Sequence, residues 1–266
     1  MILFNTGISN SSAVPVKFHV SAFKTIAIVG GTSEIEQGII KNLLATKAEF
    51  DAVILLTRDP DSMASKALAA LGAETRKIPS ELSAAAIPAL VEALKRVDVL
   101  VSIVGAQALA DQVHLIHASV QAGVKRFFPS EFGVDLDLQG TTIPFLGVKV
   151  PIRQLLRSEK ISSKLEHENG HFMDVTVTLQ SDVARFLAEI LRFDSAISRN
   201  KTLKFEGDRF TFNQAREIVS KAVIHVPGVK STFSTTYTAG LLFHNHNKLF
   251  SNVKPTSAKE YIATLF

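Results

Sequence analysis

The chain of 266 residues contains no cysteine. Disulfides, thiolate zinc sites and cysteine nucleophiles are therefore all excluded. The absence fits a reducing compartment, and we expect a cytoplasmic protein. Tyrosine is almost as rare, because Tyr237 and Tyr261 are the two examples and neither has a lysine four residues later. This excludes the Tyr-x-x-x-Lys pair that serves as proton donor in ordinary short-chain dehydrogenases.

The sequence also lacks the features that are typical of proteins that bind nucleic acids or membranes. The net charge of +4 comes from scattered lysines and arginines rather than a dense basic run, so we expect no direct contact with nucleic acid. A basic groove for an anionic cofactor would account for it. No apolar run is long enough for a membrane span, and the first residues lack the basic start of a signal peptide. We expect residues 1–22 to form a poorly ordered arm.

The remaining sequence alternates short β-branched runs with longer amphipathic stretches, which predicts βαβ units around a parallel sheet. The fold class is therefore α/β, with a Rossmann-like doubly wound sheet and a small C-terminal α/β lobe that would bind substrate. The predicted strands are 25–30, 52–57, 74–78, 98–105 and 124–129, and the predicted helices are 34–47, 61–71, 83–96 and 108–122, with Gly123 ending the last of these.

Beyond Pro129 the pattern changes. The sequence predicts a loop, a helix over 149–158, a polar loop or hairpin tip at KISSKLEHENGH (160–171), a strand at 175–179 and a helix capped by Ser181 and Asp182. TLKFEG and FNQAREIVSKAV complete the expected lobe. The predicted division is an arm over 1–22, a nucleotide-binding domain over 23–160 and a shortened substrate lobe over 161–266.

The stretch IAIVGGTSEIEQG joins the first strand to the first helix. In a dinucleotide-binding turn, three glycines allow the tight turn, the approach of the pyrophosphate and the close packing of the helix. Here Gly30, Ser33 and Glu36 occupy these positions. Nucleotide binding and a simple tight turn both fit this pattern.

Two further positions favour a cofactor. Arg58 follows the second strand where an arginine accommodates the 2′-phosphate of NADP, although it also fits a solvated surface charge. Gly105 follows the fourth strand, beside the expected nicotinamide.

The loop after the fifth strand supplies candidate substrate residues, since ligands bind at the carboxyl ends of parallel strands. Ser130 and Glu131 either line the site or order the loop. Phe132, like Phe128 and Phe145, either stacks on the nicotinamide or substrate or belongs to the core. HNHN (244–247) and the pair His114 and His117 are interpreted as a polar loop and surface histidines, so no metal is expected.

The segment VDVLVSIVGAQALADQVHLIHASVQAGVKRFFPSEFGVD, and above all KRFFPSEFG (125–133), resembles the NmrA-like and isoflavone-reductase-like proteins, especially their fungal members. These are atypical short-chain dehydrogenases. The resemblance implies an NADPH cofactor, a turn in which Thr32 and Ile35 match the family pattern, and Arg58 at the 2′-phosphate. It also implies a catalytic Lys149 near the nicotinamide, from a K-x-x-x-R pattern that KVPIR supplies.

The chain departs from the family twice. Ser33 and Glu36 replace glycines, and the carboxylate adds bulk and like charge near a pyrophosphate. The segment between Lys160 and VTVTLQSDVA is short, which indicates a deletion of a strand and part of the substrate pocket.

The expected function is an NADPH-dependent reductase of a small aromatic or phenolic carbonyl or enone-like substrate. The alternatives are a non-catalytic NADP(H) sensor that binds a protein partner and an inactive remnant.

Overall fold

A computed structural model describes residues 23–30, 33–46, 49–132, 147–167, 169–172, 176–177, 179–192, 198–205, 207–209 and 252–262. Within them, six parallel strands form one sheet in the order β3-β2-β1-β4-β5-β6. The strands are β1 (Thr25–Val29), β2 (Ala52–Thr57), β3 (Glu74–Lys77), β4 (Val99–Ser102), β5 (Arg126–Phe128) and β6 (Glu166–His167). The predicted doubly wound sheet is confirmed.

Helices cover both faces of the sheet. They are α1 (Glu34–Ala45), α2 (Met63–Ala70), α3 (Ile87–Ala93), α4 (Gln112–Ala122), α5 (Lys149–Arg157), α6 (Glu159–Ser162), α7 (Gln180–Arg192) and α8 (Ala258–Ile262), with 3₁₀ turns at Ala84–Ala86 and Ala106–Ala108. Two small pairs complete the described structure: β7 (Asn169–Phe172) runs parallel to β9 (Thr202–Phe205), and β8 (Thr176–Val177) runs antiparallel to β10 (Asp208–Arg209).

Alternation along the strands divides the core between the two faces. In β1, Ile26 and Ile28 join one apolar cluster, which also contains core residues of α1 and α7. Ala27 and Val29 point the other way, into a cluster shared with α3, α4 and α5. Because both faces are covered, the strands are nearly continuous apolar runs, as expected for a parallel sheet.

Local signals set the helix ends. Ser33 precedes α1 in an extended conformation, and its hydroxyl accepts the N–H of Glu36 at 3.4 Å. Gly123 follows α4 at φ 74°, a left-handed conformation that confirms the predicted end. The predicted helix at 83–96 is shorter, because a 3₁₀ turn precedes α3 and Pro88 lies in its first turn.

The interpretation of KISSKLEHENGH as a loop or hairpin tip is wrong. This stretch forms α6, β6 and the start of β7, because Ile161 and Leu165 are buried in the core. In β6, Glu166 pairs with the buried Arg126 of β5 at 2.7 Å. A strand therefore does follow the Lys149 helix, where a deletion was expected to have removed one, although only two residues pair.

The predicted cap of the helix after VTVTL also differs. Helix α7 already begins at Gln180, so Ser181 and Asp182 lie in its first turn. The buried carboxylate of Asp182 instead accepts the backbone N–H of Thr256 at 2.6 Å and pairs with Arg185. It thus ties the segment before α8 to α7.

The proposed division of the chain at residue 160 stays a prediction, although β6 and α7, which follow it, join the layers of the main sheet. Residues 1–22 and FNQAREIVSKAV lie outside the described part. Among the helices described, none is both long and apolar enough to cross a membrane.

Gly30 is required where β1 and β4 end. The N–H of Ile103 donates to the carbonyl oxygen of Val29 at 2.6 Å. A Cβ atom on Gly30 would lie 2.2 Å from the carbonyl oxygen of Ile103. The backbones are thus too close for any side chain at this position.

We expect Gly30→Ala to lower the free energy of unfolding by about 3 kcal/mol or more, because backbone must move to admit the methyl group. The measurement is urea unfolding. Gly105→Ala is the matched control, since a Cβ there meets nothing within 4 Å, and its change should stay within about 0.5 kcal/mol. Equal stabilities of the two variants would contradict this reading of the β1–β4 contact.

Candidate functional site

The candidate site lies at the carboxyl edge of the sheet, where β4 and β5 end beside the first turn of α5. Ser130, in the loop after β5, is hydrogen-bonded to the chain after β4 and to the start of α4. Its hydroxyl donates to the carbonyl oxygen of Val104 at 2.9 Å, and its N–H donates to Oε1 of Gln112 at 2.7 Å. Ser130 is buried, so these contacts favour the loop-ordering role that the sequence left open.

Gln112 was missed by sequence reasoning. Its side chain is fully buried at the start of α4, and its amide also donates to the carbonyl oxygen of Leu109 at 3.0 Å. The available signal was a polar residue on the buried face of an amphipathic helix, which needs a polar partner.

Glu131 is the centre of a buried charge cluster. It is fully buried, and its Oε2 accepts a hydrogen bond from Nη2 of Arg153 at 2.9 Å. The Nζ of Lys149 lies 4.0 Å from the same oxygen. Lys149, Arg153 and Glu131, singled out from the sequence, are thus brought together.

The pattern K-x-x-x-R places its two cations on one face of a helix. Lys149, Ile152, Arg153 and Leu156 are the buried residues of α5, which is the i, i+3, i+4, i+7 spacing of a core-facing stripe. Lys149 is only 5% exposed, so it does not point into solvent as a lysine in the first turn of a surface helix would.

Burial lowers the pKa of Lys149 below its ordinary 10.5, because the charged ammonium loses its hydration. The carboxylate of Glu131 raises that pKa, and the positive charge of Arg153 lowers it further. Desolvation is the largest effect, so the amine is closer to proton exchange at neutral pH than a surface lysine.

In the turn between β1 and α1, the residues that stand in place of glycines make contacts of their own. Ser33 is exposed and caps α1, and Ile35 is half-buried against the core. Glu36 is fully buried. Gly38 allows α1 to pack closely against α7, because a Cβ atom at this position would lie 2.9 Å from Cβ of Ala184. Thr32 lies outside the described residues.

Arg58 and Gly105 are both exposed at this edge. Arg58 directly follows β2, so its guanidinium is open to an anionic ligand. Within the described part of the chain, no atom beyond Gly105 and its two neighbours in sequence lies within 4 Å of where a Cβ of Gly105 would be. A ligand could therefore approach the backbone after β4 closely.

Of the three phenylalanines considered for stacking on a ligand, two pack in or against the core and one lies outside the described residues. Phe128 is 2% exposed and belongs to the core, and Phe132 is partly buried against the same cluster. Phe145 and HNHN lie outside the described part. His114 and His117 are partly exposed on α4. No group of three metal-binding side chains occurs among the residues that the structure describes.

Comparison with known proteins gives a family match: the model of the NmrA-like family matches residues 22–165. A phenylcoumaran benzylic ether reductase from Nicotiana tabacum is 49% identical over 76 residues, which cover 27% of this chain and 25% of the tobacco protein. Curated relatives are matched over only 22% to 31% of their lengths. The relatives reported with these matches are plant proteins, so they do not support the expected likeness to fungal members.

Solved structures share the fold. An isoflavone reductase is 18% identical with a TM-score of 0.64, covering 92% of this chain and 100% of that one. A leucoanthocyanidin reductase from Vitis vinifera, in a binary complex with NADPH, is 22% identical with a TM-score of 0.60, covering 75% and 74%. These likenesses show the Rossmann-like reductase fold.

We expect Lys149→Met to raise the free energy of unfolding by about 1 kcal/mol or more at neutral pH, because it removes a buried cation and leaves Glu131 with Arg153. The native state with a lowered lysine pKa binds fewer protons than the unfolded chain, so wild-type stability rises with pH up to the ordinary pKa of 10.5. The advantage of the variant should therefore shrink as pH rises. Urea unfolding across pH measures it, with the exposed Lys160→Met as control, and an advantage that grows with pH would contradict the burial argument.

Proposed function

Because the chain belongs to the NmrA-like family, we propose that it is an NADPH-dependent reductase acting on a small aromatic or phenolic substrate. The observation that carries the proposal is the buried Lys149 beside Glu131 and Arg153 at the carboxyl edge of the sheet. A buried amine at this edge is the proton-exchanging group that such a reduction needs.

NADPH would supply a hydride to a carbon of the substrate's carbonyl or conjugated double bond and leave as NADP+. Lys149 acts as the relay that delivers one proton to the substrate and regains it from solvent. The net change is the addition of one hydride and one proton, which balances the reaction. Burial suits the amine to this role, because a lowered pKa makes its ammonium form a stronger proton donor than that of a surface lysine.

The described residues fit a phosphorylated dinucleotide. Arg58 is exposed after β2, where it would hold the 2′-phosphate, and Gly105 leaves space after β4 for the nicotinamide end. The N-terminus of α1 would face the pyrophosphate. The N–H of Glu36 already donates to the hydroxyl of Ser33, so fewer backbone donors remain for the phosphates. NADPH binding therefore relies more on Arg58.

The relatives support the substrate class without fixing the substrate. A benzylic ether reductase of phenylcoumarans and a leucoanthocyanidin reductase that binds NADPH are both named for phenolic compounds. Ser130, Glu131 and Phe132 stay candidates for the wall of the substrate site. Ser130 and Glu131 act there through the loop and Lys149, since both are buried.

A second candidate function is an NADP(H) sensor without turnover that binds a protein partner. The specific observation in its favour is the fully buried Glu36 at a position where the family has glycine. It predicts NADPH binding together with no consumption of NADPH by any phenolic carbonyl or enone.

We expect Lys149→Met to lower kcat by about 100-fold or more in NADPH-consumption assays with a panel of phenolic carbonyl and enone compounds, because the proton relay is lost. NADPH affinity, followed by nicotinamide fluorescence, should fall much less. Lys160→Met, at an exposed position on α6, is the control. Undiminished turnover in Lys149→Met would sink the reductase mechanism, whereas NADPH binding without turnover in the wild type would favour the sensor.

We expect wild-type protein to bind NADPH in the micromolar range and NADH far more weakly, and Arg58→Gln to weaken NADPH binding by about tenfold, or about 1.4 kcal/mol. The loss reflects one missing charge-assisted contact to the 2′-phosphate, so NADH binding should be unchanged. Fluorescence titration measures both cofactors. The matched control is Arg96→Gln, since Arg96 is exposed but precedes β4, at the opposite edge of the sheet. Equal losses for the two cofactors would argue against the role of Arg58.

A further inference from the structure

Two buried cations lie one turn apart on α5. Lys149 is 5% and Arg153 is 3% exposed. Like charges at this spacing repel each other, and removal from water makes both more costly. Among the described residues, the acidic side chain that pairs with both is Glu131. The protonation of Lys149 therefore depends on how this carboxylate is shared.

The sharing is unequal. Arg153 donates to Oε2 of Glu131 at 2.9 Å, the length of a charge-assisted hydrogen bond. The Nζ of Lys149 is 4.0 Å from that same oxygen, too far for a hydrogen bond. The other oxygen, Oε1, is buried and accepts no hydrogen bond within the described chain. The carboxylate is thus turned toward the arginine.

We infer that Arg153 is a positioning residue, which holds the carboxylate of Glu131 and so keeps it from closing onto the ammonium of Lys149. The consequence for catalysis rests on the proposed function. Without Arg153 the carboxylate would be free to pair directly with Lys149, and a lysine held in a tight buried ion pair exchanges its proton poorly.

Among the described residues, two charged side chains shift the pKa of Lys149. Glu131, from the loop after β5, raises its pKa, and Arg153, from its own helix, lowers it. The adjacent helix α4 carries the partly exposed His114 and His117, and α6 carries the exposed Lys160. None of these three is among the charges that shift the pKa of Lys149. A substitution at 131 or 153 is therefore a direct test.

The test measures the titration midpoint of the Lys149 amine by NMR of protein carrying ¹³C at the lysine ε positions, without cofactor or substrate. The signal is assigned as the one missing in Lys149→Met. Arg153→Gln should raise the midpoint, because it removes a positive charge and releases Glu131. Glu131→Gln should lower it, and Arg153→Lys, which keeps the charge, should stay close to wild type.

Opposite shifts in Arg153→Gln and Glu131→Gln support the inference, and a midpoint that is unchanged or lower in Arg153→Gln overturns it. Far-UV circular dichroism checks folding. If Arg153→Gln does not fold, the remaining pair decides: a lowered midpoint in Glu131→Gln with a near-native one in Arg153→Lys supports the inference, and any other result overturns it.

This experiment is separable from the proposed function. The NMR titration needs no turnover, so the inference can hold even if Lys149→Met keeps full reductase activity. Conversely, Lys149 can be essential for reduction while its titration midpoint stays the same in Arg153→Gln. The two failures are therefore distinguishable.

Discussion

The close approach of β1 and β4 at their carboxyl ends determines where the rest of the site lies. The two backbones meet where the N–H of Ile103 donates to the carbonyl of Val29 at 2.6 Å, with no room for a side chain at Gly30. Beyond this point the strand order reverses, because β2 lies on one side of β1 and β4 on the other. Chains that leave the sheet here diverge and open the crevice in which ligands of such sheets bind.

Hydrogen bonds connect this crevice to the helix that carries Lys149, the candidate catalytic residue. Val104, just past β4, holds Ser130, and the next residue, Glu131, holds Arg153 on α5. The same helix face carries Lys149. The position of the amine thus follows from the sheet through two buried hydrogen bonds and through the helix face that Lys149 shares with Arg153. Ser130 is satisfied at both its N–H and its hydroxyl, whereas Oε1 of Glu131 accepts no hydrogen bond within the described residues.

Much of the fold could be predicted because its signals are local. The run AVILLT matched β2 to the residue, since a strand covered on both faces is continuously apolar. The strand β6 was missed because a charged residue such as Glu166 is typical of a loop. Its place in a strand is explained by its ion pair with the buried Arg126, which the sequence does not reveal. Within the site, the helical spacing of Lys149 and Arg153 was visible in the sequence, but the preference of Glu131 for Arg153 was not. That preference depends on distances between segments 18 or more residues apart, which no periodicity encodes.

Ser33 and Glu36 show why the fold is easier to infer than the affinity for a cofactor. The start of α1 is stabilised without these glycines: Ser33 caps the helix, and Gly38 provides the close helix contact against Ala184. The fold therefore survives their loss. Phosphate binding at the start of α1 depends on its backbone N–H groups, and there the capping hydroxyl of Ser33 and two acidic residues in the first turn oppose an anion. Selection for stability alone would leave this pattern at α1, but it does not explain the buried Lys149, because an amine removed from water costs stability.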